Sequence, residues 1–185
     1  MSLEASAYTA DVTPIPRDEF VRAAAAADWV LWPVHDIFET ARFRTVSDGA
    51  LSDGDYFYGW RAGDRHANDY ERVLAARQVA QLEAWAQEDP DRELGAAFIH
   101  THPYQHEYSA EQDAELAEEN GPEYVAALRS AKLEYLVDLH ANNDDFRLDL
   151  ARLICRLRGG LWVDHLGGEW GVEQAEPGAA AVGGA

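Results

Sequence analysis

Residues 100 to 113 read HTHPYQHEYSAEQD. His100 and His102 stand two residues apart, His106 follows, and Ser109 and Asp113 come next. In an extended chain successive side chains alternate, so His100 and His102 project from one face. Two imidazoles presented side by side can share a zinc ion, and His106 or Asp113 could supply a third ligand. The same residues admit a structural reading. Ser109 with Gln112 three residues on forms a capping box. Pro103 ends a strand, and Tyr104, His106 and Tyr108 then pack as loop residues on a sheet edge.

Those residues need elements to hold them. GAAFIH, at 95 to 100, is a short apolar strand running into the histidines. A helix begins at Ser109, is interrupted by Gly121 and Pro122, and resumes to about Lys132. Upstream, Asn68 is placed to cap a helix with Glu71 as its capping-box partner. Ala75, Val79, Leu82 and Ala86 mark one face of that helix at helical spacing. ARFRTVS and DYFYGW read as strands divided by the turn-rich DGALSDGD.

The stretch resembles the JAMM family of zinc isopeptidases, whose motif is H-x-H-P, then Ser, two residues and Asp, with a glutamate well upstream. The order of helix, strand, H-x-H-P, helix and strand resembles the family too. The resemblance implies His100 and His102 as zinc ligands. It implies a water in the fourth position, activated by an upstream glutamate, for which Glu39 in DIFETARF is the candidate. Gln112 occupies the position of the family's ligand Asp, and a neutral amide is a poor zinc ligand. Asp113 comes one residue later, about 100 degrees round a helix.

The C-terminal third is patterned most plainly. Leu133, Tyr135, Val137 and Leu139 alternate as one face of a strand. NNDD supplies a helix cap, and Phe146, Leu150, Leu153 and Leu157 then form a core-facing stripe. Gly159 suits the position just past that helix. GLWVD follows as a strand and HLGGEW as a turn. Near the start, SAYTADVTP reads as a strand, Pro16 opens a helix and WVLWPV reads as a strand. Both ends are therefore β-α-β. The expected fold is α+β and ferredoxin-like: an antiparallel sheet with helices on one face and a helical middle insertion. One domain should span 1–172, with the insertion at about 40–132 and a disordered tail at 173–185. The segment LVDLHANNDDFRLDLARLICRLRGGLWVDHLGGEW resembles one found in small bacterial uncharacterised proteins and toxin-immunity proteins.

The 185 residues carry 34 acidic against 15 basic side chains, a net charge of −19. Nucleic-acid binding needs a basic footprint, which this balance opposes, and an anionic membrane surface would repel the chain. A basic protein would associate quickly. Cys155 is the single cysteine, so no intrachain disulfide forms. The first residues show no basic, apolar leader, and a cytoplasmic protein is expected. Two functions follow. One is a non-enzymatic, immunity- or adaptor-like protein without cofactor that binds a basic protein, in which His100 and His102 are strand-end residues hydrogen-bonded locally. The other is a JAMM-like zinc-dependent isopeptidase or peptidase, with His100, His102, Asp113 or His106 on the metal and Glu39 as base.

Overall fold

A computed structural model describes residues 3–35, 44–45, 49–88, 92–139 and 144–176. The strands are β1 (Leu3–Thr9), β2 (Trp29–His35), β3 (Arg44–Thr45), β4 (Asp55–Arg61), β5 (Gly95–Pro103), β6 (Leu133–Leu139), β7 (Gly160–Asp164) and β8 (Trp170–Glu173). The helices are α1 (Arg17–Ala26), α2 (Ala67–Ala75), α3 (Val79–Glu88), α4 (Ala110–Asn120), α5 (Pro122–Ser130) and α6 (Asp144–Arg158). All strands join one antiparallel sheet in the order β3-β2-β4-β5-β6-β1-β7-β8.

The fold is α+β, and both β-α-β ends contribute to this one sheet. Two features depart from the expected layout. The middle of the chain is not only helical: it places β4 and β5 between β2 and β6. The reason lies in DYFYG and GAAFI, which are buried throughout and so suit central strands covered on both faces. Helices also cover both faces instead of one.

On the first face, α1 and α6 share a core with the strands. Phe20 and Ala24 of α1 and Phe146, Leu150, Leu153 and Leu157 of α6 meet Ala5, Trp29, Phe57, Ile99, Tyr135 and Val137. The stripe read from the sequence is thus buried where the pattern puts it. Phe146 packs directly on the sheet. It sits over Gly59 and Gly95, which are directly paired across β4 and β5. A Cβ on either glycine would collide with the Phe146 ring. Trp29 packs beside the same ring at 4.9 Å between centroids.

On the second face, α2 and α3 close one half. Tyr70, Val73, Leu74 and Leu82 pack on Tyr56, Tyr58, Trp60 and Phe98. One continuous helix was expected there, with Asn68 as its cap. Instead α2 begins at Ala67 with His66 before it, and no side chain caps its start. Arg77 adopts φ 60, so the chain turns between α2 and α3. A residue in that left-handed region ends a helix. The change of direction leaves Ala75 exposed and makes Tyr70, Val73 and Leu74 the buried face of α2. The other half of this face is closed by α5, whose Leu128 meets Leu161 and Val163.

Three buried arginines tie loops to elements. Arg17 forks onto Asp55 at 2.8 to 3.1 Å and also reaches Ser52. Arg147 donates to Asp164 at 2.9 Å. Arg158 donates to the carbonyls of Thr13 and Pro14 and pairs with Glu19. The chain continues past the expected boundary at 172, because β8 runs to Glu173 and the Glu176 amide bonds the Arg156 carbonyl. The rest of the expected tail, 177–185, and the NNDD cap at 142–143 lie outside the described residues.

Leu153→Ala should destabilise the protein by ~2–5 kcal/mol, as for a core leucine that leaves a cavity. Gly95→Ala should cost about 1–3 kcal/mol by overpacking against Phe146. Urea titrations followed by circular dichroism check both. A loss below about 0.5 kcal/mol in either, the range of surface substitutions, would contradict the packing described.

Candidate functional site

Alternation along β6 marks a polar stretch on the second face. β6 lies inside the sheet, with β5 on one side and β1 on the other. Its Tyr135, Val137 and Leu139 are buried against the first-face helices, while Glu134, Leu136 and Asp138 point the opposite way and are half-buried. A central strand covered on both faces reads apolar throughout, as β4 does. The polar side of β6 therefore runs along a strip between the α2–α3 cover and α5.

The register sets the neighbours on this strip. His102, Glu134 and Tyr8 lie directly across from one another on β5, β6 and β1. The next row is His100, Leu136 and Ser6, and the third is Phe98, Asp138 and Glu4. Directly opposed residues in an antiparallel pair have Cβ atoms ~4.5–5.5 Å apart, close enough to act together. By sequence, the strip carries three carboxylates, two imidazoles and no guanidinium or ammonium group. His165 adds a third imidazole from the turn after β7.

Ser6 is the centre of a hydrogen-bonded chain. It is fully buried, and its hydroxyl donates to Glu134 Oε1 at 2.9 Å. With its one hydrogen committed there, Ser6 Oγ accepts from His165 Nε2 at 2.8 Å. Burial, then the Glu134 charge, push the Tyr8 hydroxyl well above its ordinary pKa. The neighbouring Tyr104, 4.9 Å from Tyr8 between ring centroids, is pushed up to about 12, chiefly by burial. Both phenols stay protonated at neutral pH. Ser6 is not placed as a nucleophile, since a hydroxyl with no exposed surface cannot meet a substrate carbonyl. Its role here is to join β1, β6 and the β7–β8 turn.

The histidine stretch resolves into two pairs. His100 and His102 share a face, their rings parallel within 9° and 6.2 Å apart. His100 Nδ1 lies 3.1 Å from Asp53 Oδ1. His106 Nε2 lies instead 2.8 Å from Asp113 Oδ1, and Arg129 Nε donates to Asp113 Oδ2 at 2.8 Å. Asp113 is buried, which works to raise its pKa. The bonds from Arg129 and His106 outweigh that and hold it below the ordinary 3.8. Asp113 thus fastens α4 and the 104–109 loop to α5. Among the described residues no three His, Cys, Asp or Glu side chains gather where one metal ion could be held. Glu39 lies outside the described residues.

The structural reading of Ser109 is realised in full. Its hydroxyl accepts from the Gln112 amide, and the Gln112 side chain accepts from the Ser109 amide. Pro103 is the last residue of β5. Asp164 and His165 serve opposite faces, Asp164 on Arg147 and His165 on Ser6. Cys155 is fully buried, and burial pushes its thiol pKa well up. It is a packing residue and not a reactive thiolate.

Comparison with known proteins finds no matching family model, no matching curated protein and no matching solved structure. No helix among the described residues is long and apolar enough to cross a membrane.

The depressed pKa of Asp113 fixes the sign of one pH effect. Its ionised form contributes stability fully above the ordinary value of 3.8, and that contribution is lost as pH falls through the lower folded value. Asp113→Asn should therefore lower the urea midpoint near neutrality and narrow the gap to the parent protein as pH falls below about 4. A gap between the two that stays constant with pH would refute the coupling.

Proposed function

We propose that this chain is a non-enzymatic, immunity- or adaptor-like protein whose β5–β6–β1 strip receives a basic segment of a protein partner. One observation carries the reading: three half-buried carboxylates, Glu4, Glu134 and Asp138, lie on one face of the adjacent strands β1 and β6, beside His100 and His102 of β5. A half-buried carboxylate is screened less than an exposed one, so an arriving guanidinium or ammonium gains more there than on the open surface. The net charge of −19 supplies the long-range attraction.

Two further supports come from the ends of the chain. We read the terminal strands as a ferredoxin-like arrangement, β2, β6, β1 and β7 in that order, opened between β2 and β6 to admit β4 and β5. The C-terminal resemblance to toxin-immunity proteins agrees with a partner of basic character, such as a basic toxin nuclease. A cytoplasmic setting suits a protein with one buried thiol.

A second reading, a JAMM-like zinc isopeptidase, is favoured by one observation: the parallel, neighbouring rings of His100 and His102. Weighing against it are the uses already made of His106 and Asp113, which bond to one another, with Arg129 also donating to Asp113.

Two measurements separate the readings. A hexa-arginine peptide titrated into the isotope-labelled protein should shift the amides of Glu4, Ser6, Glu134 and His100. Glu4→Gln with Glu134→Gln should weaken binding roughly three- to tenfold, and more steeply at low salt. Shifts spread evenly over the acidic surface would sink the first reading. Zinc titration by calorimetry should give no stoichiometric binding. A one-to-one site lost in both His100→Ala and His102→Ala would install the second reading instead.

A further inference from the structure

We propose that a groove between α5 and the β7–β8 edge is a docking site for an aliphatic side chain of the same basic partner, with acidic residues on its rim holding the flanking cationic residues. This rests on the reading of the chain as a binder of a basic protein, and adds a second contact that shares no residue with the strip.

The groove is a separate feature of the molecule. It has a volume of about 410 Å³, within the ~300–1,000 Å³ of sites that take small organic groups. One wall is the outward stripe of α5, where Glu123, Ala126, Ala127 and Ser130 recur at helical spacing. The floor is backbone, at Gly159 and Gly160. Gly160 has φ 140, and a Cβ there would run into the Tyr8 carbonyl, so the floor cannot be raised by a side chain. The far wall is the end of β8. There Val172 is 42% exposed, one of the few large apolar side chains the protein presents to solvent.

The occupant follows from charge. Glu123 and Glu173 stand at the rim, and Glu111, Glu115, Glu118 and Glu119 are exposed along the neighbouring α4. The guanidinium beneath, Arg158, is already committed to Glu19 and to the Thr13 and Pro14 carbonyls. Arg129 on α5 is committed to Asp113. The rim therefore carries carboxylates, and alanine, glycine and valine make up most of the interior, with Ser130 and Gln174 as its neutral polar members. A leucine-sized side chain flanked by arginine or lysine matches both parts. An acidic or uncharged partner matches only the interior.

Two peptides test this on the full chain: acetyl-Arg-Leu-Arg-Leu-Arg-amide and its counterpart with glycine in place of leucine. The leucine peptide should bind roughly tenfold or more tightly, because only it buries apolar surface. Its binding should shift the amides of Ala126, Ala127, Gly160 and Val172. Ala126→Trp, at an exposed position, should fill the groove and erase the leucine advantage while leaving the binding of the glycine peptide. Val172→Ser should reduce the advantage without adding bulk. Glu123→Gln with Glu173→Gln should weaken both peptides. Equal affinity of the two peptides, or a leucine advantage that survives Ala126→Trp, would overturn the groove proposal and leave the strip reading standing. Binding of neither peptide would overturn both.

Discussion

The contact on which the architecture turns is the Phe146 ring lying on two glycines. Gly59 and Gly95 face each other across β4 and β5, and Phe146 fills the space that their missing side chains leave. Those strands come from the middle of the chain, whereas α6 belongs to its C-terminal β-α-β unit. One aromatic ring thus joins the inserted strands to the helix that also covers β1, β6 and β7. Aromatic burial supplies a large share of core energy, but here the shape matters as much as the area. An alanine at either glycine would hold α6 off the sheet, and the contacts of Leu150 and Leu153 would loosen with it. Trp29 depends on the same ring, and its indole N–H is fixed by Asp149 of α6.

Charge is arranged by the same packing. Buried Arg17 and Arg147 pair with buried Asp55 and Asp164, and buried Arg158 pairs with the part-buried Glu19. Each pair withdraws one cation and one anion from the exterior, so net charge is unchanged. The cations left outside become fewer relative to the acids, and the surface that a partner meets is more uniformly anionic than composition alone implies. Pairs of this kind contribute little net stability against an apolar replacement, but breaking one leaves an uncompensated buried charge. They fix which loop lies on which element: 49–55 against α1, and 13–14 against the end of α6.

Much of this was legible in the sequence, and the pattern of success has a physical cause. Short-range rules carried well. The Phe146–Leu157 stripe, the Ser109 capping box and the shared face of His100 and His102 all depend on residues within a few positions of one another. The expected helix from Asn68 failed because the left-handed turn at Arg77 carries no glycine or proline to announce it. β8 was missed because WGVE is short and follows a glycine pair that reads as a turn. The strip was half legible: alternation in β6 marks its polar side. Nothing local joins Ser6 to Glu134 or His165, which lie 128 and 159 positions away. The separation of the histidine stretch into two pairs was hidden for the same reason, since Arg129 must fold back from α5 to claim Asp113.

The place of β1 in the sheet has a consequence for how the protein is made. β1 precedes every other strand of this sheet, yet its two neighbours are β6 and β7, from the C-terminal part of the described chain. Until β6 has emerged both of its hydrogen-bonding edges lack their final partners, and the second edge waits for β7, which ends at Asp164. Contacts of such sequence separation close slowly, because the intervening chain must first surrender its freedom. β1 therefore stays unpaired while α1 through α5 and the strands between them are made. A chain stopped short of β6 would offer the edges of β1 to any other polypeptide able to pair with them.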